Sequence, residues 1–323
     1  MRKPQPGYHS FERLFDHIRA ALPSDIEVRV VHSWFHSHGI FPRLLNCLQA
    51  FFIRADVVHI TGDIHYLTPA LIGRRTVLTI HDLAPLRSKR GHALSVFSYF
   101  WYTLPIRCAS VTTTISHAVQ RELQQTLGAR AEKVRVISNC ISPEFVPVPK
   151  DWPETPIILM VGTRPQKNIE RMFEALTGLK AKVHIVGQLT EAQRTVLEET
   201  QVPITELGQL SDAELLQAYR DCDLLAFAST YEGFGLPVLE AQATGRPVLT
   251  SDIESLAEVA GESALLVDPE SPESIRQGFE RLLNDPELRA ALVEKGRANV
   301  KRFEAQEIAK KYAAVYARSC DLI

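Results

Sequence analysis

At 323 residues the chain is long enough for two cores of about 150 residues each. Hydrophobic residues at 45% and charged residues at 23% are ordinary for a globular protein and argue against a disordered or fibrous chain. The net charge of −2 argues against a nucleic-acid binder.

Residues 4–10 read as a loop, with Ser10 placed to cap a helix over residues 11–22. Only residues 1–3 are left for a strand before it. Residues 27–31 are an expected strand. Residues 42–53 are an expected helix, with Leu44, Leu45, Leu48, Phe51 and Phe52 at helical spacing. Residues 56–60, 76–80, 111–115 and 134–137 read as further strands. Short apolar strands alternating with helices predict a parallel sheet covered on both faces. In such sheets ligands bind beyond the carboxyl ends of strands, which directs attention to Thr61, His81, Asp82, Ser116 and Asn139. His32, His36 and His38 cluster after a strand without a nearby Cys, Asp or Glu, so they read as surface and no metal site is expected. The basic residues Arg87, Lys89 and Arg90 precede the aromatic run 96–102. The reading is a solvated loop and a core-packed helix, the alternative a surface that approaches an anionic membrane.

Pro143, Pro147, Pro149, Pro153 and Pro156 mark an extended connection and a domain boundary. The expected division is residues 1–145, a linker at 146–156, a second domain at 157–303 and a terminal helix at 304–323. Cys47, Cys108, Cys140, Cys222 and Cys320 are scattered and form no C-x-x-C, as in a reducing compartment. No apolar run approaches the roughly eighteen residues of a membrane span, and Met1 is followed by polar residues and not by a signal peptide. The expected location is the cytoplasm, with membrane contact limited to the periphery.

Residues 157–161 are a buried strand, followed by a loop that starts at Gly162 and a helix over 169–176. Strand, basic Gly-started loop and helix is phosphate-binding architecture, and Arg164 and Lys167 can reach a diphosphate from it. The P-loop pattern is absent. Strands are expected at 183–187, 204–207, 224–228, 248–251 and 264–267. Ser211 with Glu214 forms a capping box, and Asp285-Pro286 opens a helix. The most informative run is 229–250, in which Gly233 and Gly235 permit unusual dihedrals. Pro237 suits a first helical turn, so the N–H groups of Phe234, Gly235 and Leu236 would sit at a helix N-terminus, a ready anion site. Glu232 and Glu240 frame it, giving a phosphate cradle with a hydroxyl-binding acid on each side.

Glu232 to Glu240 matches the E-x7-E signature of retaining glycosyltransferases, and its surroundings resemble glycosyltransferase family 4 of bacterial polysaccharide assembly. The resemblance is strong over residues 162–269 and looser before residue 134. It implies an α/β GT-B fold: two Rossmann-like domains with parallel sheets facing across a cleft, and a final helix that crosses back to the first. It implies a nucleotide-diphosphate sugar as donor substrate, with a GDP or UDP base, no further cofactor, and a glycan or lipid-linked acceptor. By the same resemblance Arg164 and Lys167, in the loop after Gly162, hold the diphosphate, Glu232 the donor-sugar hydroxyls and Glu240 the ribose. His81 at its strand end faces the donor sugar. Gly208 and Leu210, with Gly187 and Gln188, lie near the base. Asn139 falls in the family's turn before the linker, with Ser138, Cys140 and Ser142 replacing its usual neighbours, and Gly7 stands where the family often has a Gly-Gly pair.

The implied chemistry is metal-independent hexosyl transfer with retention, for mannose, glucose or N-acetylglucosamine. A hydrolase reading of the two carboxylates leaves the cationic loop unexplained. A nucleotide-sugar epimerase would keep the phosphate site but needs further acid/base groups. A non-catalytic sugar-nucleotide-binding scaffold is a separate alternative, distinguished by turnover. A nicotinamide oxidoreductase is disfavoured, since no G-x-G-x-x-G follows a strand.

Overall fold

The computed structural model describes residues 1, 10–87, 91–128 and 134–321. The loop around Gly7 and the basic residues Lys89 and Arg90 lie outside these. The chain forms two compact units, Met1–Cys140 with Ala305–Ile323, and Ile141–Glu304.

In the first unit β1 (Val58–Ile60), β2 (Thr76–Ile80), β3 (Val111–Thr114) and β4 (Arg135–Val136) form a parallel sheet in the order β1-β2-β3-β4. Every residue of β2 and β3 is buried. β-Branched side chains suit a sheet covered on both faces, and the buried threonines satisfy their hydroxyls locally. Thr79 Oγ1 lies 2.8 Å from Thr113 Oγ1, and Thr114 Oγ1 donates to the Ile80 carbonyl at 2.9 Å. Helix Ser10–Ala20 puts Leu14, Phe15 and Ile18 against Ile308, Tyr312 and Val315 of helix Ala305–Asp321, in one core with Val77 and Val111. The final helix thus returns to the first unit, as the GT-B resemblance implied.

Three expectations change. Residues 27–31 are extended but form no strand, and Val28 and Val30 are exposed. A strand needs a ladder partner along its length, and among the described residues this segment has only Met1, whose amino group donates to the Val31 carbonyl at 2.6 Å. The helix expected at 42–53 spans Ile40–Phe51, but Leu44, Leu48 and Phe51 point to solvent. The aromatic run packs inward through Tyr102, whereas Val96, Tyr99 and Phe100 are exposed.

In the second unit β5 (Ile157–Val161), β6 (Lys182–Val186), β7 (Ile204–Gly208), β8 (Leu224–Phe227), β9 (Val248–Ser251) and β10 (Leu265–Val267) form one parallel sheet. Its order is β10-β9-β8-β5-β6-β7. The chain therefore winds outward through β6 and β7, returns to pair β8 with β5, and winds the other way. Its core joins Ile158, Met160, Phe173, Val183, Leu224 and Phe279. Both Ser211–Glu214 and Thr190–Gln193 close capping boxes, and the Asp285 side chain caps helix Pro286–Val300. The Pro-rich connection packs with this unit: Val148 N–H donates to the Thr244 carbonyl at 3.2 Å, and Arg246 reaches the Val148 carbonyl at 2.9 Å.

Candidate donor site

The winding reverses between β5 and β8, and a crevice beyond the carboxyl ends at such a reversal is where open parallel sheets bind ligands. The loops that leave these two strands carry the residues singled out in the sequence. After β5 the chain turns at Gly162 (φ 88°), passes Arg164 and makes a short 3-10 turn, Pro165–Lys167. Asn168 then takes the left-handed conformation at φ 61°. That is uncommon for a side-chain-bearing residue. Here it is held by Asn168 Nδ2, which donates to the carbonyls of Ala228 at 2.9 Å and Pro269 at 2.7 Å. Asn168 thus ties the cationic loop to the end of β8. The Thr230 N–H adds a second tie, donating to the Gln166 carbonyl at 2.8 Å.

Lys167 is the residue this geometry aims. Its Nζ lies 2.6 Å from Glu232 Oε1, with both side chains 17% exposed, and 4.3 Å from the Phe227 ring centroid. Any Cβ at Gly162 would come within 3.0 Å of Lys167 Cε, so glycine leaves the lysine its path. Arg164 is exposed at the same strand end. On the β8 side Gly235 takes φ 115° and ψ 49° and begins helix Leu236–Thr244 with Pro237 in its first turn. A Cβ there would sit 2.5 Å from Leu256 Cδ2, so the glycine is required by both dihedral and space. Phe234 is buried against Phe303 with ring centroids 5.8 Å apart, which anchors the loop just before the helix. Gly233 and Leu236 are half-buried beside it.

Glu240 lies one turn into that helix, and Tyr219 donates its phenol to Glu240 Oε2 at 2.7 Å. Tyr219 is fully buried, and burial followed by the Glu240 charge holds its phenol well above its ordinary pKa. It is therefore a committed donor. Arg246 fixes the same corner, donating to the carbonyls of Tyr219 at 3.1 Å, Arg220 at 2.7 Å and Val148 at 2.9 Å. Tyr219, Asn168 and Arg246 were missed in the sequence. The one available signal was Arg246, a charged residue in the short turn between helix Leu236–Thr244 and β9.

The fold brings Lys167, Glu232, Gly235 and Glu240 to the ends of β5 and β8. Gly208 and Leu210 stand elsewhere, at the last residue of β7 and just beyond it, two strands from β5. Gly208 accepts the Gly187 N–H at 2.8 Å, and Gly187 leaves room for Thr163, which a Cβ would approach to 3.0 Å. His81 belongs to the first unit, at the carboxyl end of β2. It is buried, Nε2 donates to the Thr61 carbonyl at 3.0 Å, and Phe15 meets the ring edge-on.

Two family models cover almost the whole chain: Glycosyltransferase Family 4 over residues 9–145 and Glycosyl transferases group 1 over residues 144–299. The serotype-specific mannosyltransferase WbdA of Escherichia coli is 30% identical over 241 residues, covering 65% of this chain and 29% of WbdA. The O-antigen chain mannosyltransferase RfbU of Salmonella typhimurium is 26% identical, covering 69% of this chain and 64% of RfbU. The chain thus spans less than two thirds of either relative. Among solved structures, Anabaena Alr3699/HepE in complex with UDP and glucose superposes with a TM-score of 0.76 at 18% identity, covering 98% of both chains. That likeness establishes the fold.

Proposed function

We propose that this chain, which belongs to family 4 of the glycosyltransferases, moves a hexose from a nucleotide-diphosphate sugar to a glycan or lipid-linked acceptor in cell-surface polysaccharide synthesis. The observation that carries the reading is the Lys167–Glu232 pair at the reversal between β5 and β8, beside the helix that begins at Gly235. A cation and a helix N-terminus at one strand end suit a diphosphate. A carboxylate beside them suits sugar hydroxyls.

In the reaction the bond between the anomeric carbon and the diphosphate oxygen breaks, and the acceptor oxygen bonds the same carbon on the same face. The acceptor's proton passes to the departing diphosphate, so the nucleoside diphosphate leaves protonated and no external base is consumed. Negative charge grows on the leaving group through an oxocarbenium-like state. Lys167, Arg164 and the N–H groups around Gly235 stabilise that charge where it develops, a term typically worth about 10²–10³ in rate per donor. Glu232 exchanges its contact with Lys167 for donor-sugar hydroxyls as the diphosphate takes the lysine. Glu240, oriented by Tyr219, holds the ribose. His81 is assigned to the donor sugar by the family resemblance alone. The reading assigns charge stabilisation to these groups and not to a divalent ion.

The names of WbdA and RfbU as mannosyltransferases put GDP-mannose first among donors to test, followed by UDP-glucose. The test is product NMR with each donor and a polysaccharide-type acceptor. Retention of the donor's α configuration, undiminished by a chelator, is expected. An inverted product, or turnover only with added metal, would overturn the mechanism. Interconversion of the sugar without transfer would move the chain to the epimerase alternative.

A further inference from the structure

Asn168 stands where a helix is usually capped, and its side chain does not cap. Its N–H donates to the Pro165 carbonyl at 3.2 Å and closes the turn Pro165–Lys167. Its carbonyl accepts the Met172 N–H at 3.2 Å and opens helix Ile169–Leu176. An asparagine in that place ordinarily turns its side-chain oxygen onto the N–H groups of the first turn. Here no such bond forms. Asn168 is instead buried, at 3% exposure, and its amide reaches two other loops. Nδ2 donates to the carbonyls of Ala228 at 2.9 Å and Pro269 at 2.7 Å, which lie 60 and 101 residues away in sequence. Oδ1 accepts from Arg171 Nη1 at 2.9 Å, and Arg171 Nη2 meets Glu270 Oε2 at 2.6 Å. With a cation on its oxygen, the amide presents only its NH2 group to the carbonyls. One side chain thus fastens the loops that follow β5, β8 and β10.

These bonds bracket Lys167. On one side of it the Gln166 carbonyl accepts the Thr230 N–H at 2.8 Å, and on the other the Asn168 amide holds Ala228. Both ties end on the stretch that leaves β8 and carries Glu232, so the lysine's backbone stands at a set distance from its carboxylate partner. The turn also needs a left-handed residue, which asparagine and aspartate tolerate better than other side chains do.

We propose that Asn168 is the positioning residue for Lys167, a role that rests on the donor site proposed above. It touches no reacting atom. Its amide holds the loop so that the lysine meets the departing diphosphate at hydrogen-bond distance. The effect falls on the transition state more than on donor binding. Attraction between lysine and diphosphate fades gradually with distance, whereas a hydrogen bond is lost beyond about 3.5 Å. A glycine at this position would keep the dihedral and lose all three side-chain bonds. A carboxylate of the same shape would set its oxygens against the two carbonyls, and on protonation it would regain one donor.

The test is steady-state transfer by the full chain, with GDP-mannose or UDP-glucose as donor, beside thermal melts. Asn168→Gly should stay folded and lose about 10- to 100-fold in kcat, with donor KM changed less than about threefold. Asn168→Asp should be as slow near about pH 8 and recover relative to the parent as pH falls to about 6. Burial against two carbonyls raises the pKa of a carboxyl group, and the protonated acid donates again. Parent-like kcat in a folded Asn168→Gly, or a loss carried by KM alone, would overturn the proposal. So would an activity ratio of Asn168→Asp to parent that stays flat or drops as pH falls, and this ratio decides alone if Asn168→Gly does not fold. The parent is the control. Absence of transfer there overturns the transferase reading and this proposal with it, whereas a parent-like variant beside an active parent overturns this proposal alone.

Discussion

Replacing Tyr219 by Phe removes one oxygen from the corner around Glu240 and little else. The ring is fully buried and the phenylalanine keeps its volume, so packing against Phe145 at 5.4 Å is retained. What is lost is the 2.7 Å bond to Glu240. A hydrogen bond to a charged group contributes about 1.5–3 kcal/mol. Glu240 is only half-buried, so water can replace part of it, and a loss of about 1–2 kcal/mol is expected. If Glu240 holds the ribose, that loss falls on donor binding. The donor KM should rise roughly 5- to 30-fold, with kcat changed much less, since 1.4 kcal/mol is about tenfold in affinity. Steady-state kinetics with varied donor at saturating acceptor measures the split. An unchanged donor KM, or a fall confined to kcat, would refute the assignment of Tyr219 and Glu240 to donor binding.

Gly235→Ala adds a Cβ 2.5 Å from Leu256 Cδ2 at a φ of 115°. Strain and overpacking each cost about 1–3 kcal/mol, so thermal melts should show a clear drop. Leu256→Ala added to it should recover the overlap but not the dihedral, and a parent-like melt for Gly235→Ala would remove the steric argument. In the first unit His59 is held between Tyr316 Oη at 2.8 Å and Thr79 Oγ1 at 2.7 Å, and burial lowers its pKa to about 3. Its folded pKa is depressed, so between pH 6.5 and 3 the unfolded chain binds the extra proton. Stability is lost as pH falls through that window, by about 2 kcal/mol from pH 6.5 to 5. Denaturant titrations at the two pH values, on the parent and on His59→Gln, should show a smaller loss in the variant. Equal slopes would remove His59 as the cause.

Strands buried on both faces were the most legible elements, because a continuous apolar run between turn residues has few other solutions. The expectations at 76–80, 157–161 and 248–251 match the observed strands residue for residue. Residues 27–31 show the limit: alternation states a preference, but a strand also needs a neighbour. The Ile40–Phe51 helix shows another. Spacing reveals that a stripe exists, and only the Asn46 and Gln49 hydrogen bonds decide which way it faces. At the candidate site the run from Glu232 to Glu240 was readable because glycine, proline and carboxylate each occupy a position with a distinct demand. Tyr219 was not, since the contact with Glu240 spans 21 residues and depends on how two helices meet.

The central claim is that a nucleoside diphosphate binds where Lys167 meets Glu232. A thermal-shift titration of GDP and UDP, with and without chelator, on the parent chain and on Lys167→Ala tests it most directly. One nucleotide should raise the parent's melting temperature, with a stabilisation of about 2.7 kcal/mol at a hundredfold excess over Kd. The shift should survive the chelator and largely vanish in Lys167→Ala. No shift with either nucleotide, or an equal shift in Lys167→Ala, would contradict the account.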